Sequence, residues 1–161
     1  MTRELEGKIM DNEDLVREYS NNLTTYEQFT NLMETYICNL LNREQISFHS
    51  ITSRTKSIES LSKKIELKNK YQKLDEITDL SGIRVITYYT DTVDQISKLI
   101  ENEFIIDRDN SIDKRKSLDP KRFGFRSFNY VVQIYHKYVK PQEYLKFHNL
   151  NLEIQISSIL Q

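Results

Sequence analysis

The sequence LNLEIQIS, residues 150–157, alternates apolar and polar side chains almost from end to end. Successive side chains of a β-strand point to opposite faces of its sheet, so this segment predicts a strand with an apolar face against helices. The two sets are Leu152, Ile154 and Ile156 on the apolar face, and Glu153, Gln155 and Ser157 on the polar face. A carboxylate inside a central strand is costly without a cation or a metal. Glu153 is therefore either a functional residue or a solvated residue of an edge strand.

Four further segments predict strands of the same sheet, because they are short and rich in β-branched and aromatic residues. We expect the third of them to be followed by a polar loop over residues 108–120. The segments are QISFHSI (45–51), SGIRVITYY (81–89), EFIID (103–107) and SFNYVVQIY (127–135).

The first half of the chain also carries two helical patterns. Apolar residues recur at helical spacing over residues 12–43, which predicts one long amphipathic helix or two helices with a break near Asn21–Asn22. A Lys-rich helix is predicted over residues 56–71.

The second half adds a helix from about Asp91 to Glu103, with Asp91 or Thr92 as its N-cap. Residues 136–149 are expected to form a loop or a short helix interrupted by Pro141. The order of helices and strands predicts an α+β (α/β) domain with one mixed sheet.

The composition is that of one soluble globular domain. Charged residues make up 29% of the 161 residues and the net charge is -1, which argues against broad nonspecific binding of nucleic acids. A single cysteine, Cys38, excludes an internal disulfide. No apolar run approaches the roughly 20 residues that a membrane span needs, so we expect a cytoplasmic protein without a membrane partner. The three histidines lack metal-ligand spacing: His49, His136 and His148.

The stretch ITDLSGIRVI combines an acidic and a basic residue around a predicted strand. Asp79 lies just before the strand, at a strand mouth of the kind where ligand sites of α/β sheets collect. Gly82 lets the backbone come close to a ligand, and Arg84 lies inside the strand. The alternative is a turn aspartate and a surface arginine.

The stretch SRTKSIESLSKK is basic. Arg54 and Lys56 are two residues apart, so in an extended segment they point the same way, which suits a polyphosphate. Ser57, Lys63 and Lys64 follow. The alternative is a solvated face of a Lys-rich helix.

The stretch DPKRFGFRSFNYVV, residues 119–132, combines basic and aromatic residues with a glycine and a proline. It is either a turn that holds a nucleotide or a hairpin with charged residues at its tip.

Four blocks along the chain carry a family resemblance. They are Arg54-x-Lys56 with Ser57-Ile58, Asp79-Leu80-x-Gly82-Ile83-Arg84-Val85, Gly124-Phe125-x-Ser127, and Glu153-Ile154-Gln155-Ile156. In this order they resemble the synthetase domain of the RelA/SpoT family, whose members make the alarmones pppGpp and ppGpp. The resemblance covers roughly residues 45–161, behind an N-terminal helical segment at 1–44. It implies a nucleotidyltransferase-like mixed sheet flanked by helices.

The activity that this resemblance implies is that of a GTP pyrophosphokinase (GTP diphosphokinase). Such an enzyme transfers pyrophosphate from ATP to the ribose 3′-hydroxyl of GDP or GTP, which makes the alarmones of the stringent response. Mg²⁺ and basic side chains offset the repulsion between two polyanions, and a carboxylate takes the hydroxyl proton.

The resemblance also implies roles for individual residues. Asp79 is expected to bind Mg²⁺, and Glu153 to bind the metal or to act as the general base. Arg54 is a candidate for stacking on adenine. The residues expected on the ATP side are Arg54, Lys56, Ser57, Lys63 and Arg84, and those expected on the acceptor side are Lys121, Phe125, Arg126, Asn129 and Gln155.

Several residues depart from the family pattern. Phe125 replaces the usual tyrosine that stacks on guanine, Asn129 replaces a common histidine, and Ser157 replaces an arginine. The chain stops at SSILQ, where the family continues into a further helix, so the resemblance implies a fragment or a shortened member with an apolar sheet face left partly uncovered. The His-Asp metal motif of a hydrolase domain is absent from the sequence.

Two alternative functions stay open. A toxin-type member of the family pyrophosphorylates the 3′ end of tRNA, or makes adenosine alarmones. A basic surface outside the pocket favours tRNA, and the Lys-rich segment 56–73 is one candidate. The other alternative is a degenerate domain that binds nucleotide without catalysis. A homo-oligomer is compatible with the family, although no residue here demonstrates one.

Overall fold

The computed structural model describes residues 10–113 and 127–159, and every structural statement below concerns those residues. The helices in this part of the chain are α1 (Asn12–Arg43), α2 (Ile58–Lys68), α3 (Thr90–Glu103) and α4 (Pro141–Phe147). The strands are β1 (Ser50–Thr55), β2 (Ser81–Thr87), β3 (Phe104–Asp113), β4 (Ser127–Ile134) and β5 (Leu152–Ser158). Short 3₁₀ turns lie at Leu74–Glu76 and His136–Tyr138. The predicted α+β class is confirmed.

The alternating segment forms β5, which lies in the centre of the sheet. The strand order is β1-β2-β5-β4-β3, and β5 runs parallel to β2 and antiparallel to β4. The sheet is therefore mixed, as the order of elements predicted. Because β5 has a neighbour on each side, the edge-strand alternative for Glu153 is excluded.

One face of the sheet is covered by α1 and α3. The apolar side chains of β5, namely Leu152, Ile154 and Ile156, have an exposed fraction of 0%. They share a core with residues of both helices, such as Met33 and Ile96. The expectation that an apolar face stays partly uncovered is wrong for β5, because these two helices cover it.

Helix α1 is one continuous helix, so the break considered near Asn21–Asn22 does not occur. Asp11 caps its N-terminus by accepting a hydrogen bond from the Asp14 backbone N–H at 2.7 Å. The Asn22 side chain donates to the Glu18 carbonyl at 2.8 Å, so it adds a bond inside the helix rather than competing with it. Packing of the apolar stripe supplies the rest of the stability.

The N-terminal half of α1 belongs to a second, smaller core. Leu15 and Tyr19 of α1 pack there with Leu61 and Ile65 of α2. Helix α2 ends at Lys68 and is followed by its C-cap, Asn69, whose φ of 42° is the left-handed conformation that asparagine tolerates at a helix C-terminus. This core holds α2 beside the edge of the sheet.

The first strand begins later than the sequence predicted. Residues 45–49 lie outside β1, and the Ile46 N–H donates to the Leu41 carbonyl at 2.9 Å, which closes the end of α1. Ile46 and Phe48 are partly buried against the core without joining the sheet. Their alternating pattern therefore reflects packing of a connecting segment.

The third strand extends through part of the predicted loop. It runs to Asp113, with an irregularity in its pairing to β4 between Asp107 and Ile112. There the Asp107 carboxylate accepts hydrogen bonds from the backbone and the side chain of Asn110, at 3.3 and 2.8 Å. The polar residues that predicted a loop therefore form a local turn within the strand.

Two helix starts also differ from expectation. Helix α3 begins after Tyr89, which makes no side-chain cap, so neither Asp91 nor Thr92 is the N-cap. Pro141 begins α4 rather than interrupting it, because a proline in the first turn forfeits no helical hydrogen bond. Among the described residues, no helix has the length and apolar character to cross a membrane.

Substitution of Ile154 tests the central position of β5. We expect Ile154→Ala to lower the free energy of unfolding by about 2–5 kcal/mol, because it opens a cavity where α1 and α3 meet the sheet. Urea denaturation measures this loss. Leu67→Ala is the control, since Leu67 has an exposed fraction of 86% and its loss is expected to cost less than about 0.5 kcal/mol. Equal losses in the two variants contradict the assignment.

Candidate active site

The strand register arranges the side chains of the second sheet face, opposite α1 and α3, in rows. Residues that pair across neighbouring strands lie side by side on one face. The first row is Arg54, Gly82, Glu153 and Val131, the second row is Thr52, Arg84, Gln155 and Asn129, and the third row is Ser50, Ile86, Ser157 and Ser127. Residues far apart in sequence are thus brought together.

Hydrogen bonds connect three residues of the first two rows. The Arg84 guanidinium donates to Gln155 Oε1 through Nε at 3.2 Å and through a terminal nitrogen at 3.1 Å. Gln155 Nε2 donates in turn to Glu153 Oε1 at 2.9 Å. Gln155 is therefore held with its carbonyl toward Arg84 and its amide toward the carboxylate. These hydrogen bonds fix the position of the Glu153 carboxylate on the sheet face.

A cleft of about 180 Å³ lies over the first two rows. Gly82 forms part of its floor, and a Cβ atom added there meets Arg54 Cγ at 3.7 Å and Nε at 3.8 Å. The Arg54 side chain therefore lies across Gly82, which brings its guanidinium over the sheet. The lining residues are Thr52, Ser53, Arg54, Gly82, Ile83, Arg84, Glu153 and Gln155.

Asp79 forms a cluster with two lysines just before β2. Its carboxylate accepts from Lys56 Nζ at 3.0 Å and from Lys64 Nζ at 2.8 Å, and the three side chains are only 11–20% exposed. Burial alone raises the pKa of a carboxyl group. Here the hydrogen bonds and charges of Lys64 and Lys56 outweigh burial and hold the pKa of Asp79 below its ordinary value. Asp79 is therefore ionised over the physiological range.

Lys64 reaches this cluster, and its neighbour Lys63 is exposed. Sequence reasoning chose Lys63 for the site and left Lys64 outside it. A signal was present, because Lys64 lies three residues after the buried Leu61 and next to the apolar stripe of α2. Lys63 is about 200° around the helix from Leu61 and faces away from it. Ser57 is the N-cap of α2 and accepts from the Ser60 N–H at 3.1 Å.

Tyr19 is a second residue that sequence reasoning missed. Its hydroxyl donates to the Lys56 carbonyl, and the Lys56 N–H donates to the Leu80 carbonyl at 2.8 Å. The backbone of Lys56 is thus held from both sides. Burial raises the pKa of Tyr19, so its hydroxyl stays protonated as a donor. Its position in an apolar helical stripe indicated only a core residue.

The position of Asp79 differs from the expected strand mouth. The rule for open α/β sheets concerns the carboxyl ends of strands, whereas Asp79 precedes β2 and lies at its amino end. Because β5 is parallel to β2, Glu153 is near the amino end of its own strand as well. Asn129 lies beside Gln155 on the same face. Three further candidates, Lys121, Phe125 and Arg126, fall outside the described residues.

Asp79 and Glu153 are the two carboxylates that the sequence predicts to bind Mg²⁺. Asp79 and Glu153 offer the carboxylate oxygens that Mg²⁺ prefers, and the described residues contain no group of three or more His, Cys, Asp or Glu that could hold a metal. Mg²⁺ is commonly bound by one or two carboxylates together with substrate phosphates. Both oxygens of Asp79 are bonded to Lys56 and Lys64 in this structure, so Mg²⁺ binding by Asp79 and Glu153 stays a prediction.

The charge on Asp79 makes the stability depend on pH. Its pKa is lowered in the folded protein, so its stabilising effect is complete above the ordinary value of 3.8 and is lost as the pH falls below it. We expect Asp79→Asn to lower the free energy of unfolding at pH 7 by about 1–3 kcal/mol, and by progressively less as the pH falls below 3.8, because protonation removes the charge of Asp79. Urea denaturation across this pH range measures the difference. Glu66→Gln, at an exposed position of α2, is the control, and a pH-independent effect of Asp79→Asn contradicts the ion-pair account.

Solved structures of other proteins share this fold. Small alarmone synthetase 1 from Bacillus subtilis matches with a TM-score of 0.68 at 16% identity, over 89% of this chain and 72% of that chain. A GTP pyrophosphokinase family protein from Streptococcus pneumoniae matches with a TM-score of 0.67 at 22% identity, over 88% of this chain and 70% of that chain. Small alarmone synthetase 2 from Bacillus subtilis has a TM-score of 0.65 at 19% identity, over 88% and 73%.

The sequence comparison identifies the family. No curated protein sequence matches this chain. A profile of the region found in RelA and SpoT proteins, however, matches residues 53–161, which is more than half of the chain. The matched region contains Asp79, Glu153 and all three rows except Thr52 and Ser50. The chain belongs to the RelA/SpoT family, and its fold is that of the small alarmone synthetases.

Proposed function

We propose that this protein transfers pyrophosphate from ATP to the ribose 3′-hydroxyl of GDP or GTP. The observation that carries the proposal is the position of the Glu153 carboxylate. Gln155 holds it by a hydrogen bond, and Arg54 and Arg84 line the same cleft. The comparisons support the nucleotides: small alarmone synthetase 1 from Bacillus subtilis has been solved bound to its product pppGpp and bound to AMPCPP.

The donor side of the proposed reaction is the basic edge of the cleft. Arg54 presents a planar guanidinium, which suits stacking on a base or contact with a phosphate. Asp79 holds the ammonium groups of Lys56 and Lys64 together in one cluster just before β2. Ammonium groups in fixed positions offset the repulsion between the triphosphate and the acceptor nucleotide. Ser57 contributes to the donor side by capping the N-terminus of α2. Arg84 contributes by donating hydrogen bonds to Gln155.

The acceptor side is built around Glu153. In the proposed step Glu153 takes the proton of the 3′-hydroxyl, and the oxygen attacks the β-phosphorus of ATP. The bond from the β-phosphorus to the oxygen that bridges it to the α-phosphorus breaks, and AMP leaves with that oxygen. Gln155 orients the carboxylate through its 2.9 Å hydrogen bond. Asp79 and Glu153 would hold Mg²⁺, which would supply further neutralisation of charge.

Replacement of Glu153 tests this assignment. We expect Glu153→Gln to lower the rate of product formation by at least about 100-fold, because an amide cannot accept the hydroxyl proton. Incubation with ATP, Mg²⁺ and labelled GDP or GTP, followed by separation of the products, measures the rate. Nucleotide binding is expected to persist, and Glu66→Gln is expected to react like the wild type. Full activity of Glu153→Gln, or absence of ppGpp and pppGpp from the wild-type reaction, contradicts the proposal.

A second candidate acceptor is the 3′ end of tRNA. The observation in its favour is an exposed basic and aromatic surface outside the cleft, between β4 and β5. Lys137 Nζ lies 5.5 Å from the ring centre of Tyr135 and 5.0 Å from that of Tyr138, and Lys140 is exposed nearby. Cations and aromatic rings on one surface suit an unpaired nucleic-acid strand.

Removal of positive charge from this surface distinguishes transfer to tRNA from transfer to guanine nucleotides. If tRNA is the acceptor, we expect Lys137→Ala combined with Lys140→Ala to lower transfer to deacylated tRNA by about tenfold or more, while transfer to GDP is unchanged. Parallel reactions with labelled tRNA, GDP, GTP and ADP measure both. Wild-type product from guanine nucleotides alone rules out the tRNA candidate. Nucleotide binding without transfer to any acceptor indicates the non-catalytic alternative.

A further inference from the structure

Helix α1 forms three hydrogen bonds through its side chains to residues 53–56, here called the donor segment. This segment carries two of the basic side chains that the proposed function assigns to ATP, Arg54 and Lys56. The bonds join Ser53 to Glu34, Thr55 to Thr30, and the Lys56 carbonyl to Tyr19. Three of the four residues of the donor segment are therefore bonded to α1.

The alternation of side chains along β1 separates the anchored residues from the basic ones. Ser53 and Thr55 point to the face covered by α1, so Arg54 between them points to the cleft. Lys56 follows directly, and its ammonium group donates to Asp79 at 3.0 Å. The bonds from α1 thus flank Arg54 and reach the backbone of Lys56.

The position of β1 at the edge of the described sheet makes these bonds important. Within the described residues, β1 pairs with β2 and has no strand on its other side. Two of its side chains, Thr52 and Arg54, are exposed. Segments with few buried contacts open locally at a low cost in free energy. The bonds from α1 therefore add a second restraint on the donor segment, besides its pairing with β2.

Two of the three bonds are shielded from water. The exposed fraction is 0% for Tyr19 and 2% for Thr30. The Thr30 hydroxyl donates to the Tyr26 carbonyl at 2.8 Å, so its oxygen accepts from the Thr55 hydroxyl at 2.9 Å. The Lys56 carbonyl can only accept, so the Tyr19 hydroxyl is the donor of the other bond. Loss of a bond between buried groups is costly, because the partner that remains is left unsatisfied.

We propose that Tyr19, Thr30 and Glu34 are positioning residues for the donor nucleotide. They hold the donor segment so that Arg54 and Lys56 are in place before ATP binds, and they act through these two residues. The inference rests on the proposed function, because that function assigns Arg54 and Lys56 to ATP. It makes α1 a part of the donor site, although α1 precedes the matched region, which begins at residue 53.

Tyr19→Phe tests the proposal, because it keeps the ring in the core and removes only the hydroxyl. Calorimetry with Mg²⁺ measures the binding of a non-hydrolysable ATP analogue and, separately, of GDP. We expect affinity for the ATP analogue to fall about three- to tenfold, the value of one hydrogen bond, because the loosened segment must be ordered again on binding. Affinity for GDP is expected to stay unchanged. In the reaction, the KM for ATP is expected to rise while kcat is kept.

Tyr36→Phe is the matched control. Tyr36 also belongs to α1, and its hydroxyl donates to Glu103 of α3 at 2.7 Å, away from the donor segment. Both variants are expected to lower the unfolding midpoint by similar amounts, whereas only Tyr19→Phe weakens binding of the ATP analogue. Equal losses of affinity in the two variants, or equal losses for the ATP analogue and GDP in Tyr19→Phe, indicate general loosening and overturn the inference. Unchanged affinity of Tyr19→Phe for the ATP analogue overturns it as well.

A conservative pair at Thr30 gives a second, independent test. Thr30→Val removes the hydroxyl at similar volume and is expected to weaken binding of the ATP analogue, whereas Thr30→Ser keeps the hydroxyl and is expected to bind like the wild type. The same loss in both variants contradicts a role of the hydrogen bond. Failure of the wild type to form ppGpp or pppGpp overturns the proposed function. Product formation by the wild type, together with unchanged affinity of Tyr19→Phe and Thr30→Val for the ATP analogue, overturns this inference alone.

Discussion

The geometry of the candidate active site depends on the register of β5 between β2 and β4. Side chains on a strand alternate with a period of two, so a shift of one residue would bring Glu153 and Gln155 into the core and expose Ile154. The core prevents this shift, because the apolar side chains of β5 have no exposed surface and meet two helices. The same packing that stabilises the sheet therefore fixes the row in which Glu153 faces Gly82 and Arg54.

Electrostatics at the edge of the sheet complement this register. Lys56 and Lys64 stay close to each other, since Asp79 holds both within hydrogen-bond distance. Holding Lys56 in this cluster costs little conformational entropy, because hydrogen bonds to Tyr19 and Leu80 already fix its backbone. A pair of cations that is already in position needs little reorganisation to bind a polyanion. Water, in contrast, must reorient around the charges, so a preorganised site stabilises them more strongly than water does.

Sequence reasoning succeeded where a local pattern reflects a local cause. The alternation of LNLEIQIS predicted the apolar and polar faces of β5, and the spacing of apolar residues predicted α1. It failed where the deciding contact comes from elsewhere in the chain. Ile46 and Phe48 alternate like a strand but pack on the core without a sheet partner, and Lys64 was passed over because its partner Asp79 is 15 residues away. The hydrogen bonds from α1 to the donor segment are visible only once α1 has been placed beside β1.

The folded domain is larger than the region of sequence similarity, because it includes helix α1. The region shared with RelA and SpoT proteins begins at residue 53, yet α1 supplies Met33 to the main core and Tyr19 to the backbone of Lys56. A helix that completes two cores acts as a structural part of the domain and not as an appended segment. A substitution in the inner stripe of α1 can therefore disturb the backbone of Lys56 and both cores, although α1 lies outside the matched region.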